Sequence, residues 1–250
     1  MNSKEYISKL PKAPLQEVIF ELFLNQSVDS NGNPREDDFD LAQGVFHKLI
    51  SADFSHRIIR NYPSDIKIFP RIKYQYWKKE NEWPVVQIGP GLLTVNDTEK
   101  NYEWDNYYDL ILSTIDKLLD SYSNQININR ISLRYIDAVD LDFKSSNEKL
   151  EFINQNFKIN LINNFSLEPA KLSRININQT YTLPDSSNVN FTISDGKSKN
   201  NKSAVVWQSQ VLNSNVKSTE DIKTWLNMAH SITHDLFTKT IKDEFYEQFK

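Results

Sequence analysis

Two periodicities alternate along the chain. From Leu15 to Leu24 the run LQEVIFELFL is rich in β-branched and aromatic residues, and it sets Glu17 and Glu21 opposite Val18, Phe20, Leu22 and Leu24. That alternation predicts a strand with one apolar face. Apolar positions then change to helical spacing: Ala42, Val45, Phe46, Leu49 and Ile50 form a stripe, with Asp38 placed to cap its start. Three strand-like runs follow, at 57–62, 66–77 and 84–96. Tyr107, Leu110, Ile111, Thr114, Ile115, Leu118, Leu119 and Tyr122 then make a second helical stripe. The first half reads β-α-β-β-β-α.

The second half follows the same grammar. RISLRYIDAVDLDF, from Arg130 to Phe143, alternates Ile131, Leu133, Tyr135, Val139 and Leu141 against Ser132, Arg134, Asp140 and Asp142. Ser145 and Glu148 stand at capping-box spacing before a helix carrying Leu150, Ile153 and Phe157. Strand-like runs at 171–183, 188–194 and 204–212 lead to a second box, Ser218 with Asp221. The longest stripe follows: Ile222, Trp225, Leu226, Ala229, Ile232, Leu236, Phe237, Ile241 and Phe245. Val85-Val86 and Trp104 recur as Val205-Val206 and Trp225 about 120 positions later. The expectation is an α+β fold built as a tandem β-α-β-β-β-α duplication. Its halves would be 1–125 and 126–250, forming one compact unit of antiparallel sheets with helices on one face. Joined edge to edge the halves make a saddle; wrapped around the last helix they make a helix-grip.

Composition narrows the chemistry. The 250 residues are 39% hydrophobic and 25% charged, with 29 Lys+Arg against 33 Asp+Glu and no cysteine. A net charge of −4 is not that of a polycation for phosphate backbones. Without cysteine, a disulfide scaffold, a thiolate zinc site, an iron–sulfur cluster and a thiol nucleophile are all excluded. No apolar run approaches the roughly 18 residues of a membrane span, and the opening MNSKEYISKLPKAP lacks a signal-peptide core. A cytoplasmic protein with no membrane partner is expected.

The polar parity of the strands is the most informative surface. It carries Glu17 and Glu21, Lys73 and Gln75, Ser132, Asn176, Asn178 and Gln210, together with the five candidate ligand-binding residues Arg71, Arg130, Arg134, Arg174 and Gln208. Guanidinium and amide groups of this kind recognise carboxylates, phosphates or peptide backbone. The competing reading pairs Arg134 and Arg174 with Glu17 and Glu21 across neighbouring strands. Basic and aromatic residues interleave from His56 to Lys79, a pattern compatible with single-stranded nucleic acid, although Asp65 and Glu80 interrupt the charge. His230 and His234 share a helical face, but HSITH lacks the metalloprotease glutamate and a third ligand, and both lie on the polar flank of their stripe. Solvated histidines and no metal are expected there. Gly89-Pro90-Gly91 reads as a bend in the chain rather than a phosphate loop. Asp137, Asp140 and Asp142 come from one strand, Asp137 on the opposite face from the other two, with no catalytic partner identifiable.

The strings PKAPLQEVIFEL, WPVVQIGPGLLTVN with YEWDNYYDLI, RISLRYIDAVDL and WLNMAHSITHDLF together resemble an uncharacterised, sporadically distributed bacterial family of about this chain length. The resemblance runs from Leu10 to the C-terminus and is most specific around Gly89, Pro90, Gly91 and Trp104. It implies an accessory locus, phage defence among the settings, and brings no catalytic residue or cofactor with it.

The expected function is a non-catalytic binding or regulatory module engaging a protein partner encoded nearby or a small anionic ligand, with no cofactor. An enzyme acting on a phosphorylated or nucleotide-like substrate, in a cavity between the sheet and the last helix, is the alternative. A single-strand nucleic-acid binder is the second alternative. Oligomeric state is left open.

Overall fold

The computed structural model describes residues 10–25, 37–62, 71–98, 100, 102–122, 127–141, 146–162, 172–198 and 200–250. Its first half contains β1 (Leu15–Leu24), α1 (Asp37–Ile50), β2 (His56–Ile59), β3 (Tyr74–Trp77), β4 (Val85–Gly89), β5 (Leu92–Asp97) and α2 (Trp104–Ser121). The second contains β6 (Ile128–Asp140), α3 (Ser146–Asn156), β7 (Asn176–Thr182), β8 (Asn188–Lys197), β9 (Ser203–Asn213), α4 (Thr219–Thr240) and α5 (Asp243–Glu247). The strands form one nine-stranded sheet in the order β2-β3-β4-β5-β1-β6-β9-β8-β7. Every neighbouring pair is antiparallel. The two halves meet at the β1–β6 pair.

Directly paired residues share a face of a sheet, so the register shows how one face became the core. Tyr76, Val86, Val95, Phe20, Leu133, Val211 and Val189 are paired in succession across seven strands, and each is at most 3% exposed. Phe39, Phe46 and Ile50 of α1, Tyr107, Ile111, Ile115 and Leu118 of α2, and Ile222, Trp225, Leu226 and Ala229 of α4 pack into the same core. A second cluster surrounds the fully buried Trp207, where Ile153 and Phe157 meet Phe191, Ile193, Ile241 and Phe245. The helices therefore cover one face of the sheet and leave the other open.

Several boundaries moved from their sequence positions. The apolar run 84–96 is two strands, because Pro90 and Gly91 reverse the chain between Gly89 and Leu92. Gly91 sits at φ 65°, as position three of a type II turn requires after proline. Among the described residues the first half is thus β-α-β-β-β-β-α, one strand more than the second. Val85-Val86 lies in β4 and Val205-Val206 in β9, respectively two strands and one strand from the central pair, so these dipeptides occupy different places in the sheet. The buried side of α1 runs through Phe39, Ala42, Phe46 and Ile50, which turns Val45 outward. Ser218 and Asp221 form the reciprocal capping box before α4. Ser145, read as the cap of the third helix, lies outside the described residues, as do 66–70 of the strand expected at 66–77.

Candidate functional site

The open face is polar, and its polar groups largely satisfy one another. On the first-half side, Arg60 Nε donates to Gln75 Oε1 at 2.9 Å, Gln75 Nε2 to Gln87 Oε1 at 2.6 Å, and Gln87 Nε2 to Thr94 Oγ1 and Asn96 Oδ1 at 3.1 and 3.2 Å. Asn96 Nδ2 closes the ladder on Glu17 Oε1 at 2.7 Å. Gln75, Thr94 and Asn96 are only 5–8% exposed. On the second-half side, Gln210 Nε2 donates to Ser132 Oγ at 2.8 Å and Thr180 Oγ1 to Asn190 Oδ1 at 2.8 Å. A side-chain amide already bonded in the plane of the sheet has little capacity left for a ligand.

At one end of this face the ladder gives way to an open cleft of about 750 Å³. Glu17, Ile136, Ala138 and Val206, from β1, β6 and β9, form its floor. The β3–β4 turn supplies Asn81, Glu82 and Trp83 on one side, and Lys197 at the end of β8 with Ser198 of the following turn lines the other. Lys100, beyond β5, completes the rim. The turns are built by residues that tolerate left-handed backbone: Asn81 at φ 58° and Asn201 at φ 59°. Trp83 is fixed edge-on against Trp77, ring centroids 5.3 Å apart. The acidic groups are engaged, Glu17 by Asn96 and Glu82 by Lys79 at 3.5 Å. Neither Lys100 nor Lys197 has an ion pair among the described residues. The cleft thus combines an apolar floor, one aromatic wall, two lysines and two carboxylates that are already engaged.

The five sequence-selected residues are placed unequally. Arg130 and Arg134 lie on the open face of β6, and Gln208 lies on the same face of the adjacent β9, directly opposite Ile136 of the cleft floor. Arg134 is paired with Glu21 at 3.7 Å, and Arg130 lies over the Phe23 ring at 4.1 Å. Arg71 stands before β3, its carbonyl beside Gly89, and Arg174 is exposed just before the edge strand β7. Arg71 is about four strand spacings, or roughly 19 Å, from β6 and Arg174 about three, or roughly 14 Å. None of the five is among the residues lining the cleft. Lys100 and Trp83 escaped the sequence reading because they lie outside the strands, where parity carries no information; Lys197 ends β8, and the polar run 195–203 was the only signal near it.

On the helix-covered face the polar residues behave differently. His230, expected in solvent, is stacked on Trp104 with ring centroids 3.9 Å apart and planes 7° from parallel. Its Nδ1 is 2.9 Å from the Tyr135 hydroxyl, which in turn meets the Tyr102 hydroxyl. Burial, and then the charge of His234, lower the imidazole pKa to about 4, with Asp105 opposing. Asp137, 4% exposed on the same face, has its carboxyl pushed up to about 8 by burial. This chain of groups ties α2, β6 and α4 together. Among the described residues no group of three or more His, Asp or Glu side chains is arranged to hold a metal ion, and no helix is long and apolar enough to cross a membrane.

In comparisons with known proteins, the chain matches no family model and no curated protein.

Proposed function

We propose that the chain is a non-catalytic recognition module whose open-face cleft holds an anionic group, carried by a small ligand or presented by a protein partner. The observation that supports this most is that Lys100 and Lys197, from different halves of the chain, both line the cleft with its apolar floor. With Glu82 held by Lys79 and Glu17 hydrogen-bonded to Asn96, the two lysines favour an anion at the cleft, and Trp83 and Ile136 bury its apolar body. Gln208, beside the floor, is the sequence-selected residue best placed to orient it. The partner's gene lies beside this one in the same reading, and the cysteine-free composition suits a cytoplasmic setting.

The reading includes a duplicated origin. Counting outward from the β1–β6 pair, β5, β4 and β3 on one side stand where β9, β8 and β7 stand on the other, and each half ends in a helix packed on the same face. Helices confined to one face suit a saddle rather than a sheet closed around α4.

The test is charge reversal. Thermal-shift titration with pyrophosphate, and co-purification with products of adjacent genes, separate the two sources of the anion. Lys100→Glu with Lys197→Glu is expected to weaken whichever association is found by more than tenfold, while Arg174→Glu leaves it unchanged. Association that survives the lysine reversals and falls with Arg130→Glu places recognition elsewhere on the face.

A further inference from the structure

The outward side of α1 carries an apolar strip that no element among the described residues covers. Leu41 is 77% and Val45 46% exposed, one turn apart. Between them is Gly44, where an added Cβ would meet nothing within 4 Å. A glycine inside a helix costs about 1 kcal/mol relative to alanine, and no close approach among the described residues requires one here. Asp38 and Lys48, both exposed, continue the strip by a turn at either end. The opposite side of the helix, through Phe39, Ala42, Phe46 and Ile50, is the part already buried in the core.

We propose that two copies of the chain associate through this strip, α1 against α1 and antiparallel about residue 43. Charge selects that arrangement. A two-fold axis at residue 43 sets Asp38 of each copy against Lys48 of the other, and Leu41 of each against Val45 of the other. A parallel pair would set aspartate on aspartate and lysine on lysine. The contact is isologous, so each attractive pair occurs twice. Gly44, beside the axis, lets the two backbones approach closely, which is the reason for its presence that the isolated chain lacks. The patch is small, so association is concentration-dependent rather than obligate. Because α1 packs on the helix-covered face and the cleft opens on the other, dimerisation and ligand binding are separate properties that fail separately.

Sedimentation velocity of the full chain over a concentration series is the test. The wild type is expected to show a monomer–dimer equilibrium, which Leu41→Glu with Val45→Glu weakens at least tenfold; both positions are exposed, so folding is retained. Asp38→Lys and Lys48→Asp are each expected to weaken it, and the two together to restore it. A wild type that stays monomeric at every concentration overturns the proposal, including when a different protein is found to protect the strip. A dimer indifferent to Leu41 and Val45 overturns it as well, and failure of the charge exchange to restore association overturns the antiparallel register.

Discussion

Replacing Gly89 by alanine is expected to destabilise the chain by about 3 kcal/mol, at the upper end of overpacking substitutions. The new methyl would lie 1.7 Å from the Arg71 carbonyl oxygen and 2.8 Å from its carbon, both backbone atoms with no rotamer to escape into. Relief requires the chain at 71–73 to move away from β4, which breaks the hydrogen bond from Lys73 N to Ile88 O at 2.8 Å. The strain then reaches β2, because Arg60 N donates to Lys73 O at 2.8 Å. Gly44→Ala supplies the control: with open space around it, the same methyl is expected to stabilise α1 by up to about 1 kcal/mol. Urea unfolding at low protein concentration checks both. Equal, small effects at the two glycines would contradict the packing described for the β4 edge.

The second large effect is on the pH dependence of stability, where two buried groups act with opposite sign. Asp137 titrates near 8 in the folded chain against 3.8 ordinarily. The folded state therefore keeps a proton that the unfolded state releases, and stability falls as pH rises through that window, by about 1.4 kcal/mol per unit. His230 titrates near 4 against 6.5. There the unfolded state holds the extra proton, so stability rises with pH between those values. The slopes cancel between pH 4 and 6.5, and above 6.5 Asp137 acts alone. The wild type is expected to show a plateau and then to lose about 2 kcal/mol between pH 6.5 and 8. Asp137→Asn is expected to abolish that loss and expose a rising limb below pH 6.5. Urea midpoints across the range measure this, and an undiminished loss in Asp137→Asn would show that another group is responsible.

The strands were legible wherever one face is buried. Alternation in LQEVIFELFL and RISLRYIDAVDL identified β1 and β6, because a sheet covered on one side imposes a period of two. The Ser218–Asp221 box located α4 because its two hydrogen bonds are local. Properties set by distant residues were not legible. His230 sits on the polar flank of its own helix, yet Trp104 of α2 and Tyr135 of β6 enclose it, and no spacing within α4 reports either neighbour. The amides of the open face read as a recognition surface because their composition is the same whether they bond a ligand or one another; only the register shows Gln75, Gln87, Thr94, Asn96 and Glu17 joined in a ladder. Lys100 and Lys197 border one cleft because β1 and β6 join the two halves edge to edge, a pairing between residues more than a hundred positions apart.

Amide chemical-shift mapping of the isotope-labelled chain during titration with pyrophosphate tests most directly whether the cleft is where recognition occurs. Shifts centred on Lys100, Lys197, Ser198 and the Trp83 indole, absent when both lysines are reversed to glutamate, are the predicted result. Shifts centred instead on the Arg71 and Arg130 end of the sheet, or no saturable shifts at all, would contradict it.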